Sequence, residues 1–124
     1  MKFSGIVKKH LGRGTVLGFP TANIDAPAES EDGIFLGWAF TNPLTRLAKK
    51  FPALIFIGSN PTFNESFRRA EIYILDFSEN LYNKQLEVEI LKKLRDVEKF
   101  DSPTELIAQM KKDEVTARDF FKDL

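Results

Sequence analysis

The stretches "GIFLGWAF" (Gly33–Phe40) and "PALIFIGS" (Pro52–Ser59) decide the fold, since each is short and rich in β-branched and aromatic residues. Similar runs follow in "AEIYILDF" (residues 70–77) and "KQLEVEIL" (residues 84–91), and "KFSGIVKKH" predicts a first strand near the start. Turn formers separate these runs, and "NPLTRLAKK" (residues 42–50) reads as a hairpin excursion. Five or more strands without intervening helices favour an antiparallel barrel or sandwich.

The last part of the chain has a helical pattern instead. Ser102 is a candidate N-cap, Pro103 suits the first helical position, and Glu105 stands at the capping-box position. Apolar residues then recur at helical spacing and form one stripe; they are Leu106, Ile107, Met110, Ala117, Phe120, Phe121 and Leu124. We expect one domain over residues 1–124, with a strand barrel to about residue 100 and a helix over about 102–123 packed on it.

Composition excludes several classes of site. The chain has 124 residues, no cysteine, one histidine, and equal numbers of basic and acidic side chains. Thiolate chemistry and cysteine-ligated zinc are therefore excluded, and a site rich in histidine is not available. The zero net charge argues against a nucleic-acid partner. Neither a signal peptide nor a long apolar run is present, so we expect a cytoplasmic protein without a membrane partner.

The stretch "GTVLGFPTANI" (residues 14–24) carries the first candidate site. If the chain continues extended after the Phe19–Pro20 bond, Thr21 and Asn23 point to the same side. A hydroxyl and an amide oxygen presented together suit a hard cation such as Mg²⁺ beside phosphates. Glycines at 12, 14 and 18 would let backbone N–H groups approach an anion. The alternative interpretation is a glycine-rich turn that leads into a strand.

Glu71, in "RRAEIYILDF", is the second candidate. Strand alternation places it at the start of a largely apolar row that continues through Tyr73 and Leu75. One interpretation is structural, in which Glu71 lies at the solvent end of its strand or pairs with Arg68 or Arg69. The other is a partly desolvated general base, since burial of a carboxylate raises its basicity.

Taken in chain order, five segments of the sequence resemble those of the riboflavin kinase (flavokinase) family, and together they extend over nearly the whole chain. The resemblance is carried by "GIVKKHLGRGTVLGFPTANI", with its PTAN signature, by "DGIFLGW", by the Asn-Pro turn in "IGSNPTF", by "AEIYILDF", and by "LRDVEKFDS" before the last helix. It implies a mainly β fold, a six-stranded antiparallel Greek-key barrel with a C-terminal helix. It also implies an enzyme that transfers a phosphoryl group from ATP to the ribityl 5′-hydroxyl of riboflavin and so makes FMN.

The resemblance further implies roles for single residues. Thr21 and Asn23 would contact the ATP phosphates and the divalent cation, expected to be Mg²⁺, and Glu71 would be the catalytic base. The loop that contains Gly12, Gly14, Thr15 and Gly18 would close over the nucleotide, although Thr15 stands where many bacterial members have arginine. The end of the site that holds the flavin would include Arg95, Phe100 and Ser102.

Two departures from the family pattern bear on function. Asn83 replaces the glycine of the usual Leu-Tyr-Gly, so it must adopt the turn geometry that glycine would take. With a single histidine, the chain lacks the His-x-Gly-His motif of an adenylyltransferase domain. It is then either a stand-alone kinase or an excised module that does not itself make FAD, and a separate FMN adenylyltransferase is the candidate partner for that step. The alternative function is a catalytically weak flavin- or nucleotide-binding module on the same fold.

Overall fold

The structure is a computed structural model that describes residues 1–8, 18–59, 62 and 67–124. It contains six strands and, in these residues, one long helix. The strands are β1 Lys2–Ile6, β2 Ala22–Ile24, β3 Gly33–Thr41, β4 Lys49–Gly58, β5 Arg69–Ile74 and β6 Gln85–Arg95, and the helix is α1 Pro103–Lys122. The five strands expected from the sequence are present, and the sixth lies in the TANI tetrapeptide.

The six strands form one antiparallel sheet in the order β1-β6-β3-β4-β5-β2. Strands β3, β4 and β5 are consecutive neighbours, and β6 returns to lie beside β3, which is the Greek-key arrangement. The backbone N–H of Lys8 donates to the carbonyl of Asn23 at 2.8 Å, so the end of β1 meets β2. The sheet is therefore a nearly closed barrel, as the family resemblance implies.

Side-chain alternation divides the apolar residues between two faces of the sheet. The barrel interior contains fully buried branched residues, among them Ile24, Ile55, Ile72, Leu86 and Val88. The backbone approaches itself closely there, because a Cβ on Gly37 would lie 2.2 Å from the carbonyl oxygen of Glu89 on β6. Only glycine allows β3 and β6 to pack at this point.

Helix α1 covers a second apolar cluster on the outer face of the barrel. Ala117 is completely buried, and Phe120 and Phe121 pack with it against Leu36 and Leu54. The predicted cap is confirmed, because Ser102 Oγ accepts from the backbone N–H of Glu105. One part of the predicted stripe is wrong: Leu124 lies beyond the end of the helix and is exposed.

The hairpin predicted between the third and fourth strands is confirmed, although its loop is shorter than residues 42–50. Thr41 pairs with Lys49, so the two lysines at 49 and 50 belong to β4 and residues 42–48 form the loop. Leu44 and Leu47 are exposed on it. In the parts of the chain that the structure describes, no helix has the length and apolar character needed to cross a membrane.

Candidate functional site

Thr21, Asn23 and Glu71 come together across strands β2 and β5. Asn23 pairs directly with Glu71 in the antiparallel register, so their side chains share the outer face of the sheet. The Thr21 hydroxyl donates a hydrogen bond to Glu71 Oε1 at 3.1 Å. Ile24, the next residue of β2, is buried in the interior. The two candidate sites found separately in the sequence are therefore one site.

Glu71 also has a cationic neighbour on its own strand. Arg69 and Glu71 are two residues apart on β5 and so lie on the same face, with Arg69 Nη2 2.9 Å from Glu71 Oε2. Their side chains are only 8% and 15% exposed. Arg68 instead contacts Asp32 and donates to the carbonyl of Pro27. Of the two arginines that the sequence offered as partners, Arg69 is the one that pairs with Glu71.

A cavity of about 430 Å³ lies beside this site. Its wall is formed by residues 7–8 and 20–23, by Ile72 and Ile74 of β5, and by the connecting segment 77–82. Thr21 and Asn23 line this cavity, whereas Glu71, which Thr21 contacts and Asn23 pairs with, does not. Such a volume is within the usual range for small-molecule sites.

The site has oxygen atoms that suit a divalent cation. Asn23 Oδ1 is buried and accepts no hydrogen bond from any described residue. Thr21 uses its only proton toward Glu71, which leaves the lone pairs of its oxygen available. Within residues 1–8, 18–59, 62 and 67–124, no group of three His, Cys, Asp or Glu side chains could hold a metal by itself. The donor set therefore fits a cation that takes its other ligands from phosphate and water, as Mg²⁺ commonly does.

A row of directly paired residues connects this site with Arg95 at the other side of the sheet. Asn23 pairs with Glu71, Glu71 with Phe56, Phe56 with Ile34, and Ile34 with Arg95. Four strand spacings separate the two ends, about 19 Å along the sheet. Apolar side chains lie between the polar ends, and helix α1 packs over part of this face.

The three residues assigned to the flavin end also have contacts within the fold. Arg95 forms an ion pair with Asp113 of α1, and its guanidinium carbon lies 5.9 Å from the centre of the Phe100 ring. The backbone N–H of Phe100 donates to Thr62 Oγ1, and Ser102 caps the helix. Arg95, Phe100 and Ser102 lie at the β6 end of the row and do not contact Glu71.

Positions of the predicted loop residues are described in part. Gly18 has a φ of +92°, a conformation that favours glycine, whereas Gly12, Gly14 and Thr15 lie outside the described residues, as do Asn60 and Pro61. Asn83 has a φ of +63°, so it does adopt the glycine-like turn geometry expected of it. Burial, reinforced by the Glu114 carboxylate, raises the pKa of Tyr73 above its ordinary value of 10.0.

Sequence reasoning missed two parts of the site. The segment 77–82 forms one wall of the cavity, although the sequence showed it only as a turn. Asp113 is a buried carboxylate on helix α1. The sequence did not indicate its burial because it lies in a run of charged residues. The available signal was its spacing of four residues from Gln109, which donates to it at 3.0 Å.

Comparison with known proteins agrees with this fold. The family profile described as "Flavokinase: Riboflavin kinase" matches residues 1–121. A bifunctional riboflavin kinase/FMN adenylyltransferase of Escherichia coli K12 is 35% identical over 108 residues, which cover 87% of this chain and 34% of that protein. The chain thus spans about a third of the length of this relative.

Two crystal structures share the fold. A Streptococcus pneumoniae protein described as a macrolide-efflux protein is 32% identical with a TM-score of 0.78, over 94% of this chain and 38% of that one. A riboflavin kinase from Trypanosoma brucei has a TM-score of 0.68 at 22% identity, over 98% of this chain and 79% of that one. With the family profile matched over nearly its whole length, the chain belongs to the riboflavin kinase family of enzymes.

Proposed function

We propose that this chain transfers the γ-phosphoryl group of ATP to the ribityl 5′-hydroxyl of riboflavin, producing FMN and ADP. Family membership supports the reaction class. The observation that carries the residue assignment is that Thr21 and Asn23, which line the cavity, meet Glu71 beside it. Phosphoryl transfer depends mainly on positioning and charge neutralisation, and these three side chains supply oxygen ligands and one base.

The cavity is the proposed nucleotide site. Its apolar wall includes Ile72, Ile74 and Phe77, and the half-exposed Tyr82 ring stands at its edge, which suits a planar heterocycle. Phosphates directed toward Thr21 and Asn23 would meet the buried Asn23 oxygen, which accepts no hydrogen bond from the described residues. A Mg²⁺ ion held there by Thr21 and Asn23 would supply charge neutralisation for the phosphates.

Glu71 is the proposed general base. As the 5′-hydroxyl oxygen forms its bond to the γ-phosphorus, the bond to the β,γ-bridging oxygen breaks and the hydroxyl proton moves to the Glu71 carboxylate. The acceptor approaches Glu71 from the outer face of the sheet, to which the Glu71 side chain points.

Replacement of Glu71 by Gln tests this assignment. We expect kcat to fall about 10²–10⁴-fold, the usual contribution of a general base, while nucleotide affinity is retained because Glu71 does not line the cavity. FMN formation is measured by separating FMN from riboflavin, and ADP affinity by calorimetry. Glu87→Gln, a half-buried glutamate on β6, is the matched control. Turnover in Glu71→Gln equal to that of Glu87→Gln would remove Glu71 from the role.

One observation favours the alternative, a flavin- or nucleotide-binding module with weak catalysis. Both carboxylate oxygens of Glu71 already have neighbours, Thr21 and Arg69. If these contacts persist with substrates bound, Glu71 serves the fold rather than the reaction. Binding of riboflavin and nucleotide without FMN formation by the unaltered chain would identify this case.

Two further expectations extend the proposal. We propose that a separate FMN adenylyltransferase activity converts the product FMN to FAD, a step that the E. coli relative combines with the kinase by its description. The cytoplasmic location remains a prediction, as does the absence of a nucleic-acid partner.

A further inference from the structure

Arg69 is a buried arginine to which the proposed reaction has so far assigned no role. It occupies the first position of β5, and its side chain is 8% exposed. Arginine is rarely buried unless it has a charged or aromatic partner. Its guanidinium lies against Glu71 Oε2 at 2.9 Å and 5.1 Å from the centre of the Phe67 ring.

The contacts of Glu71 fix its carboxylate from two directions. Thr21, on the chain before β2, donates to Oε1, and Arg69, on β5, contacts Oε2. A carboxylate held at both oxygens loses the freedom to rotate about its terminal torsion, which is otherwise soft. The two contacts therefore select one orientation of the plane in which Glu71 accepts a proton.

We propose that Arg69 is a positioning residue for phosphoryl transfer and acts through Glu71, an inference that rests on the proposed role of Glu71 as base. Arg69 contacts the oxygen that Thr21 leaves free and does not line the cavity. Its loss should therefore lower kcat and leave the KM for ATP unchanged.

The neighbouring Arg68 provides a matched control. It is adjacent in sequence and carries the same charge, but it is directed to the loop before β3, where it contacts Asp32 and donates to Pro27 O and Ser30 Oγ. A change of overall charge near the active site would affect both arginines alike. An effect through Glu71 is specific to Arg69.

The test is a double-mutant cycle with the full chain. Arg69→Met keeps the apolar stem and removes the charge, and we expect kcat to fall about 10²-fold, the scale of a misplacement of roughly 1 Å. Arg69→Lys, which keeps the charge, should recover part of this loss. Arg68→Met should leave kcat within about twofold of the unaltered chain. In the Glu71→Gln background, Arg69→Met should have no further effect.

Each outcome bears on one of the two proposals. If Arg69→Met lowers kcat by the same factor in the unaltered chain and in the Glu71→Gln background, Arg69 does not act through Glu71 and the inference is overturned, while the role of Glu71 stands. If Glu71→Gln alone leaves kcat unchanged, the proposed role of Glu71 as base fails first. Circular dichroism and a Tm measurement check that each variant is folded. If Arg69→Met does not fold, Arg69→Lys in both backgrounds decides the question by the same comparison.

Discussion

Two arginine–carboxylate pairs of similar burial lie at opposite ends of the cross-sheet row. Arg69 and Glu71 are 8% and 15% exposed and belong to one strand. Arg95 and Asp113 are 16% and 7% exposed and join strand β6 to helix α1. Arg95 Nε and Nη2 contact the two Asp113 oxygens at 2.7–3.2 Å, and Gln109 donates to the same carboxylate.

Burial alone therefore does not distinguish the proposed catalytic carboxylate from a structural one. Asp113 accepts from the forked guanidinium of Arg95, which connects β6 to α1, and from the Gln109 amide on its own helix. Glu71 is held by one contact at each oxygen and connects to the wall of a cavity through Thr21. We therefore expect loss of Asp113 to affect stability, and loss of Glu71 to affect turnover.

The largest expected effect on stability is that of Asp113→Asn. It leaves the Arg95 guanidinium largely buried without its counter-charge, so the free energy of unfolding should fall by about 3 kcal/mol, the lower end for a broken buried pair. The Tm should fall by roughly 10 °C. Differential scanning calorimetry measures both. Asp119→Asn, an exposed aspartate of the same helix, should change neither.

Ser102→Ala tests whether the residue at the start of the same helix only caps the helix or also contributes to flavin binding. Loss of the side-chain acceptor for the Glu105 N–H should cost about 1 kcal/mol of stability, with Thr104→Ala as an exposed control. The riboflavin KM is the second measurement. If Ser102 also belongs to the flavin end, the KM rises in this variant, whereas a purely capping residue leaves it unchanged.

The smallest effect concerns a third arginine–carboxylate pair, which is exposed. Arg118 donates from Nη1 and Nη2 to the two carboxylate oxygens of Asp76, and these hydrogen bonds hold the pKa of Asp76 below its ordinary value of 3.8. A lowered pKa in the folded state means that the pair stabilises the fold above that value and is lost as the pH falls through the folded pKa.

The unaltered chain should therefore have a slightly higher Tm than Asp76→Asn at about pH 7, and the difference should be smaller at about pH 2. Asparagine is a suitable replacement because residue 76 has a φ of +55°. Thermal scans at the two pH values check this. An unchanged difference at both would show that the pair makes no charge-dependent contribution.

Much of the fold follows from local patterns. The runs at residues 33–40, 52–59 and 70–77 all lie in or overlap observed strands. They could be recognised because side-chain alternation and β-branched residues are visible within a short stretch of sequence. The Ser102 cap and the turn at Asn83 are equally local. The three-residue strand β2 is too short to produce a pattern of its own, so the resemblance to the family was needed to count six strands.

For the site, local sequence identifies which groups are available: two oxygen ligands at Thr21 and Asn23, one carboxylate at Glu71, and two candidate arginines beside it. Only the tertiary structure decided that Asn23 lies opposite Glu71, that Arg69 rather than Arg68 pairs with it, and that Asp113 is buried against Arg95. The reason is physical. Alternation determines which way a side chain points within its strand, whereas strand register and helix docking determine what it meets there.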